Sequence, residues 1–258
     1  MLQAIFHEHP DCQTLGETAD LVYSAWYGLW VSEKVVVRPP DAVTTEGYLR
    51  RAGAAVRDML VSFFPSDKLF WMQKPIGIPL VHWLNPANQG SDFGNWYWSG
   101  MEIMFPEGRC FTLLRDPRDV VLSAISYFKL SEDQAWENIG KVYRLLNHER
   151  SLVRHAIDYT LLVEDPEREM NKLCVFLDIP FIPRCLAALN YKYVETPPEP
   201  GKPWSYRALL RPDDKKISTG FSRKSDWESL QFGEASRATL AEASRLWEKF
   251  GMRLDFTP

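Results

Sequence analysis

The chain has few of the residues from which redox, metal and membrane functions are built. Its four cysteines, Cys12, Cys110, Cys174 and Cys185, stand far apart and form no Cys-x-x-Cys pair, which leaves metal ligation and thiol exchange unsupported. Cys110 and Cys174 lie in apolar runs and read as core residues, so a reducing, cytoplasmic setting is expected. Five histidines, His7, His9, His82, His148 and His155, show no ligand spacing, and His9 and His82 read as packing or hydrogen-bonding residues. No apolar run approaches the ~20 residues that cross a bilayer. No G-x-G-x-x-G, Walker-type or Ser-Gly-Thr-Thr segment occurs, so the sequence offers no glycine-rich phosphate cradle.

What is present fits an ordinary globular protein. The 258 residues are 45% hydrophobic and 25% charged, enough to bury one substantial core, and a single domain over 1–258 is expected. A net charge of −4 argues against a nucleic-acid polymer as partner, while leaving room for one basic pocket. A small partner is the expectation.

The most informative stretch runs from Cys110 to Phe128. Cys110 to Leu114 has the length and bias of an interior strand. Asp116 fits an N-cap, Pro117 the first helical position and Asp119 the acidic member of a capping box. A helix from Pro117 should turn Val120, Val121, Ile125 and Phe128 to the core. Arg115 would then stand where the strand ends and the helix begins, the edge at which open α/β sheets bind ligands. Ser123 lies roughly two turns along the helix, where one phosphate could meet both side chains. The same four charges could instead form a solvated ion-pair cluster at a helix start.

Arg115-Asp-Pro-Arg-Asp-Val-Val-Leu-Ser123, followed by the aromatic pair Tyr127-Phe128, resembles the 3′-phosphate-binding motif of sulfotransferases that use 3′-phosphoadenosine 5′-phosphosulfate (PAPS). The resemblance implies that Arg115 and Ser123 grip the 3′-phosphate, with adenosine 3′,5′-bisphosphate as product and no metal. It implies an α/β fold of the P-loop NTPase-like kind, a parallel sheet flanked by helices. Leu2 to Asp11, then Leu15-Gly-Glu17-Thr18, resembles the segment after the phosphate loop in the bacterial and tyrosylprotein branch. An amphipathic helix over 1–9 is expected to begin without an N-cap. In that family a strand and a Gly-x-Ser/Thr loop precede it, so the expectation is a chain that lacks both and is part of a longer enzyme.

The family's chemistry needs a base for the acceptor proton and cations for the charge on the bridging oxygen. Ile76 stands where one branch places its base His, two residues after the strand-end Lys74; Glu17 matches the Glu of the tyrosylprotein branch and is the implied base, with Lys74 as the implied cation. Ser222-Arg223-Lys224-Ser-Asp226-Trp227 resembles a shortened form of a late family motif, implying Arg223 and Lys224 as further 3′-phosphate contacts. Tyr159 would lie beside the adenine, although Thr160 and Leu161 replace the family's acidic pair. A non-catalytic nucleotide-binding or interaction protein is the second reading. A nucleotide kinase is disfavoured for want of a Walker lysine.

Elsewhere a helix is expected over 44–63, with Leu49, Ala52, Val56, Met59, Leu60 and Phe63 inward, and a strand over 69–73. Trp83, Trp96, Tyr97 and Trp98 could form an aromatic wall for a sugar, phenol, lipid or peptide acceptor, or simply pack. Ser131-Glu-Asp-Gln134 should cap a helix through about His155. Tyr159 to Val163 reads as a strand, Asp165-Pro166 as the start of a helix, 194–216 as a long Pro-rich loop, and 234–250 as a closing helix.

Overall fold

The computed structural model describes residues 2–17, 24, 27, 45–62, 68–74, 93–196, 205–210 and 227–254. In chain order these form α1 (Leu2–His7), β1 (Cys12–Glu17), α2 (Thr45–Ser62), β2 (Phe70–Lys74), α3 (Phe93–Met104), β3 (Cys110–Leu114), α4 (Pro117–Phe128) and α5 (Glu132–Asn147). Then come β4 (Val153–Asp158), α6 (Tyr159–Glu164), α7 (Pro166–Leu177), a 3-10 helix (Pro183–Asn190), β5 (Tyr191–Thr196), β6 (Ser205–Leu210) and α8 (Glu234–Lys249). Helices and short strands are interspersed along the chain, as in the α/β class. Two compact units emerge, one from Met1–Gly16, Ser66–Met72 and Ile157–Arg223, the other from Glu17–Pro65, Gln73–Ala156 and Lys224–Pro258.

In the first unit, Phe70 at the head of β2 donates its N–H to the carbonyl of Asp11 just before β1. The two strands therefore start together and run parallel, as paired in the sheet order. His9 fixes the chain ahead of them: its Nδ1 accepts the Asp11 N–H, so Nε2 carries the proton and donates to the Pro180 carbonyl at 3.1 Å. Its ring tilts on Phe70 with centroids 5.1 Å apart, so His9 is a packing residue. β5 and β6 form an antiparallel hairpin with Tyr191 opposite Leu210 and Thr196 opposite Ser205. These strands replace part of the loop expected over 194–216. Pro197, Pro198, Pro200, Pro203 and Pro212 lie outside the described residues.

The core of the second unit is built on α5. Ser131 accepts from the Gln134 N–H while the Gln134 side chain accepts from the Ser131 N–H, the reciprocal box expected from the sequence. Ala135, Trp136, Ile139, Tyr143 and Leu146 are buried along one stripe of the helix. α8 lies against it with Leu240, Ala243, Leu246 and Trp247 buried. The Thr239 hydroxyl donates to the Trp136 carbonyl at 2.8 Å, and a Cβ at Gly140 would come within 2.5 Å of that hydroxyl. Glycine thus allows the close approach of the two helices.

Several expectations give way here. α5 ends at Asn147, not near His155, and β4 occupies Val153–Asp158. The expected strand over 159–163 is helix α6, because the Asp158 carboxylate accepts from the N–H groups of Thr160 and Leu161 and starts a helix there. In α2, Met59 is exposed rather than inward, while Gly53 is buried close to Ile103 of α3. Trp96, Tyr97 and Trp98 are all buried in α3, the Trp98 indole donating to the Leu145 carbonyl at 2.9 Å. They are core residues, not an acceptor wall; Trp83 lies outside the described residues.

Candidate functional site

The junction between β3 and α4 forms as its sequence dictates. Asp116 caps α4, its Oδ1 accepting the Arg118 N–H at 2.9 Å, and Pro117 follows at the first helical position. The same carboxylate takes the Arg118 guanidinium side-on, through Nε to Oδ1 at 2.9 Å and Nη2 to Oδ2 at 2.7 Å. Above that pair lies Trp227, its ring centroid 3.6 Å from the Arg118 guanidinium carbon. Arg118 is therefore buried and committed: its charge is met by Asp116 and its face by an indole.

Asp119 departs from the capping box expected for it. Its Oδ1 accepts the Trp227 indole N–H at 2.9 Å, and its Oδ2 faces Arg115 Nε at 3.5 Å. Only 4% of Asp119 is exposed, against 27% of the Arg115 side chain, so the acid is fixed and the base reaches toward solvent. Ser123 is exposed one turn farther along α4. Residues four apart on a helix differ in direction by only about 40°. Asp119 and Ser123 thus share a face, and the Arg115–Asp119 pair draws Arg115 onto it. The result is a stripe of Arg115, Asp119 and Ser123 leading from the strand end along the helix.

Val121 is buried and Ile125 half-buried as expected, but Phe128 is 42% and Tyr127 78% exposed. The two rings meet edge to face at 4.8 Å at the end of α4. Their exposure follows from the helix ending at Phe128, where Lys129 adopts the left-handed conformation and turns the chain.

The other residues singled out in the sequence are less completely described. Glu17 and Lys74 are the last residues of the paired strands β1 and β2, and only their backbone is described. Tyr159 is half-exposed as the first residue of α6 and belongs to the first unit. Arg223 and Lys224 lie outside the described residues. Trp227, three positions on, is the part of that late segment whose contacts are described. Its link to Asp119 spans 108 residues, a distance over which spacing gives no signal.

Among the described residues no cluster of His, Cys, Asp or Glu could hold a metal ion, and no helix is long and apolar enough to cross a membrane. All four cysteines are free. Burial pushes the Cys12 thiol up to about 12 and Cys174 to about 11, and raises Cys110 and Cys185 as well. None is poised as a thiolate near neutral pH.

With this geometry in place, comparison with solved structures is informative. In fold the chain is similar to a sulfotransferase domain. That domain comes from the Synechococcus PCC 7002 olefin synthase; the match has a TM-score of 0.51 at 16% identity and covers 98% of this chain and 90% of that one. At that identity the likeness concerns the fold alone. No family model matches the sequence, and no curated protein matches it. The olefin synthase domain and this chain thus share an α/β arrangement of short parallel strands flanked by helices.

Proposed function

We propose that the chain is a PAPS-dependent sulfotransferase, or the nucleotide-binding part of one, transferring a sulfuryl group to a hydroxyl or amine acceptor. The observation that carries this reading is the stripe of Arg115, Asp119 and Ser123 on a capped helix, set in a sequence that resembles the 3′-phosphate motif of that family. Its donors suit a phosphate: a partly exposed guanidinium and an exposed hydroxyl. Arg118 is held apart from this role by Asp116 and Trp227, which leaves Arg115 as the cation for the ligand.

In this reading PAPS, when bound, supplies the sulfuryl group. Arg115 and Ser123 hold its 3′-phosphate, with Lys224 as an added cation. Glu17 takes the acceptor proton and Lys74 neutralises charge on the bridging oxygen. These roles of Glu17, Lys74 and Lys224, together with Tyr159 beside the adenine and Arg223 at the 3′-phosphate, enter on the resemblance alone. The test is a transfer assay with PAPS and a panel of phenol, sugar, lipid-alcohol and peptide acceptors, alongside binding of adenosine 3′,5′-bisphosphate. Turnover that falls at least ten-fold in Glu17→Gln supports the assignment of the base; unchanged turnover removes it.

A binding protein without transfer activity is the second reading, and it rests on the lack of any Gly-rich phosphate loop in these 258 residues. Tight binding of the bisphosphate with no transfer to any acceptor would favour it.

A further inference from the structure

Asp119 and Trp227 are hydrogen-bonded to each other beside Arg115. Resting on the 3′-phosphate reading, we infer that Asp119 and Trp227 are positioning residues that set the selectivity of Arg115 for a nucleotide bearing a 3′-phosphate. Arg115 follows the last strand residue and precedes the helix. Asp119 contributes to the direction of its side chain. Its Oδ2 engages Arg115 at 3.5 Å through Nε, at the base of the guanidinium rather than at the terminal nitrogens. A fork held at its base in this way can meet two oxygens of one phosphate.

Asp119 can orient Arg115 only if it is itself fixed, and Trp227 fixes it. The indole N–H donates to Oδ1 at 2.9 Å, while the ring rests on Arg118, itself held by Asp116. The order of dependence is therefore Asp116 to Arg118, Arg118 to Trp227, Trp227 to Asp119 and Asp119 to Arg115. A carboxylate beside an anion site would by charge alone weaken anion binding. Its burial under an indole donor reduces that penalty, because one oxygen is already satisfied.

The experiment uses the full 258-residue chain and two probes, adenosine 3′,5′-bisphosphate and adenosine 5′-monophosphate, titrated by calorimetry. The ratio of their affinities reads the 3′-phosphate contact and is insensitive to a general loss of folded protein. Trp227→Phe keeps an aromatic face for Arg118 but removes the N–H, and the ratio is expected to fall about five-fold. Asp119→Asn keeps an acceptor for the indole but removes the charge facing Arg115, and a fall of about ten-fold is expected. Adding Asp119→Asn to Arg115→Ala should lower the ratio no further, since Asp119 acts through Arg115.

An unchanged or increased ratio in Asp119→Asn would overturn the inference, the increase showing that Asp119 merely competes with the phosphate. If Arg115→Ala collapses the ratio while Trp227→Phe and Asp119→Asn leave it intact, the inference fails and the 3′-phosphate reading stands. If Arg115→Ala itself leaves the ratio unchanged, both fail.

Discussion

Among the described residues two strand-to-helix junctions are capped by an aspartate, and one of them carries the proposed binding site. At the end of β4, Asp158 is both the last strand residue and the cap, accepting from Thr160 and Leu161 before a helix of six residues. At the end of β3, Arg115 is inserted between strand and cap, the helix runs for twelve residues, and Asp116, Arg118, Asp119 and Trp227 interlock around its first turn. A cap satisfies orphan N–H groups wherever it occurs. The difference shows that capping alone builds a helix; the proposed anion site needs in addition the inserted arginine and the four-residue spacing of Arg115, Asp119 and Ser123.

Removing the two caps should give the largest contrast in stability. Asp116→Ala is expected to cost about 3–5 kcal/mol, because it strips the counter-ion from a buried Arg118 as well as the cap. Asp158→Ala loses a cap alone and should cost about 1 kcal/mol. Denaturant unfolding of the two variants measures this directly, and equal costs would break the distinction. Ser123→Ala comes next, expected to weaken adenosine 3′,5′-bisphosphate about five-fold while leaving the unfolding midpoint in place, since the hydroxyl is exposed. Smallest is Tyr127→Ser: the ring is largely exposed beyond the stripe, and both stability and nucleotide affinity should stay within about 0.5 kcal/mol of wild type.

The better site is also the more legible of the two in sequence. Cys110 to Phe128 combines an apolar run, Asp-Pro capping and helical periodicity, and the observed β3 spans, and α4 begins, where those signals place them. The Asp158 junction misleads because Val153-Arg-His-Ala-Ile-Asp158 does not alternate. Val153, Ala156 and Ile157 are the buried positions, a spacing that fits a helix as well as a strand. With the preceding helix carried through to His155, the next apolar run falls to a strand, and Asp158 goes unnoticed as a cap. Three adjacent aromatics in α3 carry no period that separates an exposed wall from a core, and packing against Leu145 and its neighbours decides for the core. The partners of Asp119 are hidden for a different reason. Its carboxylate is open to a local cap or to a distant indole, and the choice of Trp227 depends on how the chain folds back on α4, which no local pattern encodes.

The central claim is that Arg115 is the cation held ready for a nucleotide 3′-phosphate. Calorimetric titration of adenosine 3′,5′-bisphosphate into wild type and Arg115→Ala tests it most directly. Losing a charge-assisted contact to phosphate should weaken binding by roughly 10–100-fold, with adenosine 5′-monophosphate bound equally by both proteins. Equal affinity of the two proteins for the bisphosphate would contradict the account.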